Sequence, residues 1–267
     1  MEFCGFIDAP LWMIELRMSE APPGLATLKS PAGDDLAYRR RYGTSPTLLF
    51  LPGYASDMDG AKAIALDAFA AERGLAMLRF DYSGTGASGG RFEGGTLSLW
   101  LDEARGMIDT LTDGPLILIG SSMGGWIALH VALQIPERVQ ALIGIAAAPD
   151  FTEWGFTPQD KARLLGDGRL ERPRTDGGDP QLTTRGFWES GQAMRLLGGP
   201  IAIECPVRLI HGEADDDVPL DIAMQLMARL RSADVQLKIV KGGDHRLSEP
   251  HEIEAIVRTA VELLETD

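Results

Sequence analysis

The 267-residue sequence is short of cysteine, of histidine and of positive charge, and each shortage removes a class of function. Its two cysteines, Cys4 and Cys205, stand far apart, with no spacing that suggests a disulfide framework or a thiolate metal site. Both read as free thiols in a reducing, cytoplasmic type of compartment. Against 39 Asp and Glu there are 25 Lys and Arg. A net charge of −14 repels a phosphate backbone or an anionic membrane surface, and the one dense basic run, Arg39, Arg40 and Arg41, is too short to offset it. Nucleic acid is excluded as a partner on that ground. No apolar run reaches the roughly 20 residues that cross a bilayer, so no stable membrane insertion is expected. The apolar opening "MEFCGFIDAPLWMIELRMSE" carries Glu2 and Asp8 where a signal peptide would be basic, and lacks the Arg-rich character of an organelle presequence. Residues 1–24 therefore read as a tail outside the fold, with Met18 a candidate alternative start.

What the chain does have is an alternation of apolar runs with helical patterns, the signature of a βα succession. Eight strand candidates are "GLATLKS", "LAYRRRYG", "TLLFLPG", "LAMLRFDY", "PLILIG", "VQALIGIAAA", "VRLIHG" and "VQLKIVKGG". The first two alternate in polarity like an antiparallel pair. The later ones are continuous Leu/Ile/Val runs, as expected of parallel strands covered on both faces. Helical patterns lie between them, one closing at Gly74 and another near Gly114. The expected fold is therefore α/β, an eight-stranded, mostly parallel sheet flanked by helices, with its core in residues 25–149 and 205–267. Residues 150–204 break the rhythm. They show no clear strand, are punctuated by Gly and Pro, and carry Trp154, Phe156, Phe187 and Trp188, which suggests a helical cap or lid over a pocket.

The stretch "LILIGSSMGGWIALH" places two serines side by side between a buried strand and a helix. A nucleophile elbow needs G-x-S-x-G on that turn. Centred on Ser121 the pattern would require a glycine where Ile119 stands; centred on Ser122 it fits Gly120 and Gly124. A serine hydroxyl needs a base, and the base an orienting acid, in the chain order Ser, acid, His. Four histidines are available. His130 lies on the helix running away from the elbow, and His211 precedes the acid candidates. His251 falls in the first turn of the last helix, where the dipole disfavours imidazolium. His245, in "KGGDHRLSEP" after the last strand, is the candidate base. The acid should lie in "HGEADDDVP", where spacing alone leaves Glu213, Asp215, Asp216 and Asp217 open. An oxyanion hole would draw one N–H from Met123, at the positive end of its helix, and one from Tyr54 in "LPGYASDMDG". Each such donor is worth about 2.7–4 kcal/mol in the transition state.

Two motifs point elsewhere and carry less. "GTGASG" matches a dinucleotide fingerprint, but no helix opens inside it. The acidic run "EADDD" hints at a cation, yet a strand-end loop facing the base already accounts for an aspartate. No cofactor and no metal are expected.

With these residues in view, the sequence resembles the serine α/β-hydrolase superfamily from about residue 25 to 265. "HGEADDDVP" is similar to that superfamily's H-G-x-x-D-x-x-V-P acid loop, and the resemblance singles out Asp215. "FLPGYASDMDGAKA", "RFDYSGTGASGG", "GPLILIGSSMGGWIALH", "CPVRLIHG" and "DHR" resemble one branch, the mitochondrial palmitoyl-protein thioesterases and acyl-glucuronide esterases with their bacterial relatives. Pro52-Gly53, where the superfamily commonly has His-Gly, agrees with that branch. The resemblance implies Ser122, Asp215 and His245 as a triad, and hydrolysis of acyl thioesters, including S-acylated protein, or of small-molecule esters such as acyl glucuronides. It implies a bacterial cytoplasmic protein, or a mitochondrial matrix one if a presequence has been removed. A peptidase or cofactor-free perhydrolase is the alternative on the same residues, and a non-catalytic binding protein a further one. Seven basic residues between 150 and 204 (Lys161, Arg163, Arg169, Arg172, Arg174, Arg185 and Arg195) are either an anion site for a glucuronate or a solvated face balanced by nearby acids.

Overall fold

A computed structural model describes residues 23–173 and 180–265, so all but the last two residues of the expected N-terminal tail lie outside the described chain. In order along the chain come β1 (Ala26–Lys29), β2 (Asp35–Arg41), β3 (Thr44–Leu51), α1 (Ala61–Arg73), β4 (Leu75–Phe80), α2 (Leu97–Leu111), β5 (Leu116–Ser121), α3 (Met123–Gln134) and β6 (Val139–Ile145). Then follow α4 (Phe151–Trp154), α5 (Pro158–Asp167), β7 (Arg169–Arg172), β8 (Gln181–Thr184) and α6 (Arg185–Ala193). The chain closes with β9 (Val207–Gly212), α7 (Leu220–Arg229), β10 (Val235–Val240) and α8 (Pro250–Leu264).

One eight-stranded sheet runs β1-β2-β4-β3-β5-β6-β9-β10, and every strand expected from the sequence is in it. Only β2 runs antiparallel to its neighbours. Successive residues of the central strands point to opposite faces, and both faces are apolar, which is why these strands read as unbroken runs. Leu49, Leu51, Leu116 and Leu118 join one buried layer beneath α2, α3 and α7, while Leu48, Phe50, Ile117 and Ile119 join the other beneath α1 and α8. Helix α1 stops at Gly74, in the left-handed region at φ 64°, as expected. Helix α2 stops at Leu111, short of Gly114, because Thr112 turns extended and its hydroxyl donates to the Ile108 carbonyl at 2.8 Å.

The segment between β6 and β9 corrects one expectation. Besides three helices it holds an antiparallel pair, β7 and β8, in register Leu170↔Thr183 and Glu171↔Leu182. "RLER" and "QLTT" are too short and too polar to show an alternation. Their pairing is supported instead by Leu170, which packs with Phe156 and Leu164. The segment's two ends are clamped together. Asp150 accepts the Leu196 and Leu197 N–H groups, each at 2.8 Å, and Trp126 and His130 of α3 both reach the Met194 carbonyl.

Beneath the loop after β4, Glu103 of α2 accepts the Ser83 N–H at 2.9 Å through Oε2. Its Oε1 and the Tyr82 hydroxyl are buried with no hydrogen-bond partner among the described residues. Burial raises the Glu103 pKa, against the pull of the Ser83 hydrogen bonds. A group whose pKa rises on folding adds stability that is complete below its unfolded pKa, roughly 4.3, and is lost as pH climbs through the folded value. Glu103→Gln removes that titration. Thermal midpoints of wild type and Glu103→Gln, measured between about pH 4 and pH 8, are expected to diverge in the variant's favour as pH rises. A difference that stays flat with pH would overturn the assignment of a buried charge held at a cost.

Candidate active site

Ser122 occupies the turn between β5 and α3 with φ 53° and ψ −118°, a conformation that L residues rarely hold. The turn is tight because backbones meet there. A Cβ on Gly120 would lie 2.4 Å from the Gly124 carbonyl oxygen, and one on Gly124 only 2.0 Å from that of Leu51. Ser122 donates its N–H to the Ile145 carbonyl, and its own carbonyl accepts from Gly125 and Ala148. Ser121, by contrast, is the last residue of β5 and is buried.

The loops after β9 and β10 bring the acid and the base to this turn. His245 Nε2 lies 3.1 Å from Ser122 Oγ, and its Nδ1 lies 2.9 Å from Asp215 Oδ2. With the proton on Nδ1, the ring donates to the carboxylate and presents Nε2 as an acceptor for the serine hydroxyl. The Asp215 carboxylate is buried, and its Oδ1 accepts the Asp217 and Val218 N–H groups at 2.9 and 2.8 Å. Burial alone would raise its pKa; the His245 hydrogen bond and charge, the Val218 N–H and the His211 ring outweigh it and hold the pKa below the usual carboxylate value. Of the four acids left open by spacing, Asp215 is the one in contact with His245.

The two loops are also tied to each other. Ala214 and Glu213 donate their N–H groups to the carbonyls of Gly243 and Val240. On the far side of His245, Asp244 accepts the Arg246 and Leu247 N–H groups, and Lys62 of α1 donates to the Arg246 carbonyl.

The loop after β3 runs directly beside the serine. A Cβ on Gly53 would lie 3.3 Å from Ser122 Cβ and 4.0 Å from its Oγ. Tyr54 follows Gly53 in this loop, and Met123, next to Ser122, is the first residue of α3. The "GTGASG" stretch is tied to this loop through Asp81. Gly86, at φ 49°, passes so close to Asp81 that a Cβ would lie 2.1 Å from Oδ2. Asp81 in turn accepts N–H groups from Ala87 and from Met58 of the β3 loop.

Five of the seven basic residues in 150–204 face carboxylates. Lys161 and Arg195 share Glu153, Arg172 holds Asp160 at 2.7 Å, Arg185 holds Glu189 at 2.7 Å, and Arg169 stands 3.9 Å from Glu171. Arg163 is exposed, and Arg174 lies outside the described residues. That pattern favours the solvated face over an anion site. Among the described residues no group of three or more His, Cys, Asp or Glu side chains is arranged to hold a metal ion.

Two family models match the chain: one described as serine aminopeptidase, S33, over residues 44–165, and one described as the prolyl oligopeptidase family, over residues 106–266. The human mitochondrial palmitoyl-protein thioesterase ABHD10 is 38% identical over 262 residues, covering 96% of this chain and 84% of its own length. The chain is an α/β-hydrolase of the ABHD10 family. Mouse α/β-hydrolase domain-containing protein 10 superposes with a TM-score of 0.85 at 36% identity, covering 91% of this chain and 98% of its own. A putative hydrolase from Agrobacterium vitis S4 superposes at 0.86 with 38% identity, covering 92% and 100%. The fold of this α/β-hydrolase is the one expected from its sequence, and the second family model spans Ser122, Asp215 and His245 together.

One residue of this hydrolase escaped sequence reasoning. His211, set aside for its place in the chain order, is buried behind the acid, with Nε2 2.8 Å from the Val218 carbonyl and 3.4 Å from Asp215 Oδ2. A histidine at the end of "VRLIHG", a strand whose apolar residues mark it for burial, was the available signal, since a buried polar ring demands a partner. His211→Phe leaves the Val218 carbonyl unpaired and is expected to lower unfolding free energy by about 1–3 kcal/mol, read by urea titration. His211→Gln, which keeps a donor, should lose clearly less. Equal losses would show that the hydrogen bond is not what the site needs.

Proposed function

We propose that this chain is a serine hydrolase cleaving acyl thioesters and esters through an acyl-enzyme intermediate, with long-chain acyl thioesters as its preferred class. The observation that carries the reading is the continuous chain Asp215–His245–Ser122, with links of 2.9 and 3.1 Å, beside the backbone of Gly53 and Tyr54. Ser122 Oγ attacks the acyl carbonyl while His245 Nε2 takes its proton. Asp215 holds the ring in the tautomer that leaves Nε2 free and stabilises the imidazolium. The Tyr54 and Met123 N–H groups receive the oxyanion, the latter aided by the N-terminus of α3. His245 then returns its proton to the leaving thiol or alcohol. Water, deprotonated by the same nitrogen, hydrolyses the acyl-serine. No cofactor enters the balance.

The acyl class rests on the curated relatives, which are named palmitoyl-protein thioesterases. Residues 150–204 act as a cap, bringing the rings of Phe151 and Phe187 against Tyr54. The paired state of the cap's basic residues favours a thioester leaving group over a glucuronate. A reducing, cytoplasmic setting is supported by Cys205, a free thiol whose pKa burial raises to about 11. Cys4 lies outside the described residues. No described helix is long and apolar enough to cross a membrane.

Steady-state hydrolysis of matched thioesters and oxygen esters from acetyl to palmitoyl, by wild type and Ser122→Ala, tests the reading. Wild type should give its highest kcat/KM on long-chain thioesters, and Ser122→Ala should lose roughly a thousandfold or more. Turnover that survives Ser122→Ala would overturn the nucleophile. The peptidase descriptions of both family models favour one second reading, amide cleavage by the same residues. Aminoacyl amides in the same series decide it: a kcat/KM above that for thioesters would replace the thioesterase assignment.

A further inference from the structure

Tyr54 is placed in the reaction by its backbone, yet its side chain points the other way. The phenol O–H donates to the Leu182 carbonyl at 2.6 Å, a bond spanning 128 residues of sequence and ending on β8 of the cap hairpin. The ring sits among four others. Its centroid lies 4.6 Å from Phe187 and 5.9 Å from Phe151, both in the cap, and 5.2 Å from Phe92 and 5.8 Å from Trp100, both in the core. The residue therefore spans the boundary between core and cap. Its neighbours leave it little freedom: Gly53 is pressed against Ser122 on one side, and Ala55 holds a left-handed φ of 53° on the other. A displacement of the ring is passed to the Tyr54 N–H, because four close-packed rings block the rotation about Cα–Cβ that would otherwise absorb it, and the ring carries its own backbone along.

We propose that Tyr54 is a positioning residue whose phenol, bonded to the Leu182 carbonyl, sets the oxyanion hole through the seating of the cap. Burial keeps the phenol protonated by raising its pKa, so the donor persists across the working pH range. A substrate whose acyl chain engages the cap then tightens the same contact that aims the N–H at the developing oxyanion. Acyl-chain length is read in turnover and not only in binding. The inference rests on the proposed reaction and names the device that links its specificity to its rate.

Tyr54→Phe removes the bond and keeps the ring. Phe187→Leu, on the cap side, loosens the nearest ring contact and leaves the oxyanion loop unaltered. Both are compared with wild type and Ser122→Ala on octanoyl and palmitoyl thioesters. Affinity for octylboronic acid is measured alongside: Ser122 Oγ adds to boron, its proton passes to His245, and one boron-bound oxygen occupies the oxyanion position. Tyr54→Phe is expected to lower kcat about tenfold with KM within twofold, since small misplacements of a catalytic group cost that much and more. Its boronate Kd should rise by the same factor, while the affinity for octanoate product stays unchanged. Phe187→Leu should likewise lower kcat and raise the boronate Kd together, by a smaller factor. Effects confined to KM, or to thermal midpoint with kcat and boronate Kd at wild-type values, would overturn the coupling. Absence of Ser122-dependent turnover in wild type would instead overturn the proposed reaction.

Discussion

Three backbones meet at the turn from β5 to α3 at distances that admit no side chain, and much else in the molecule is a consequence of that approach. Gly124 lies against the Leu51 carbonyl at the end of β3, and Gly120 against Gly124 itself. Midway between them, Ser122 is forced to a positive φ, at a cost of order 1–3 kcal/mol. It persists because its N–H and carbonyl are both held, by Ile145 and by Gly125 and Ala148. The same contact fixes the start of the Pro52–Gly53–Tyr54 loop, since Leu51 is both the neighbour of Gly124 and the last residue of β3. Ser122, Met123 and the Gly53–Tyr54 backbone are thus set by one steric constraint, not by two loops adjusted separately.

The remaining parts of the site are joined to that turn by pairing between loops. The loop after β9 donates the Ala214 N–H to the Gly243 carbonyl and the Glu213 N–H to the Val240 carbonyl, so the 2.9 Å contact between Asp215 and His245 inherits the register of β9 and β10. Two of the contacts that join residues 150–204 to the rest of the fold differ in character. Trp126 and His130 reach the Met194 carbonyl while Asp150 holds the Leu196 and Leu197 N–H groups, whereas Tyr54 meets β8 and α6 through one hydroxyl and a set of rings. The first closes the base of the segment; the second lies beside Gly53 and Ser122.

Local pattern carried the eight sheet strands and the elbow because each is decided within a few residues: apolar runs for β5 and β6, glycines two residues either side of Ser122. His245 could be chosen from position after the last strand. Asp215 could not be separated from Glu213, Asp216 and Asp217 by spacing; only a family pattern singled it out, and the 2.9 Å contact with His245 is a tertiary fact. The β7–β8 pair was invisible for the same reason, since "RLER" and "QLTT" acquire their stability from Leu170 packing against Phe156 and Leu164. His211 was set aside as a base by a rule of chain order, which says nothing of its other contacts. Its ring serves the acid loop from behind.

Carboxylates buried around the site divide by what they hold, and the division separates structural acids from the one that faces the base. Asp81, Glu103 and Asp150 all have pKa values raised, with burial the largest cause, and each accepts backbone N–H groups to hold a loop or a segment end. The Asp215 carboxylate is also buried and accepts backbone N–H groups as well, yet its pKa is lowered. The difference is two imidazoles: His245 at 2.9 Å and His211 at 3.4 Å. Backbone amides alone stabilise a buried carboxylate enough to keep a loop in place, and burial still wins. A titratable ring in direct contact reverses the balance, which ties the acid's charge to the protonation of its partner. Among the described carboxylates whose pKa is lowered, Asp215 is the one held down by imidazoles; Asp59, Glu153, Asp160 and Asp234 are held by Arg, Lys or Thr side chains.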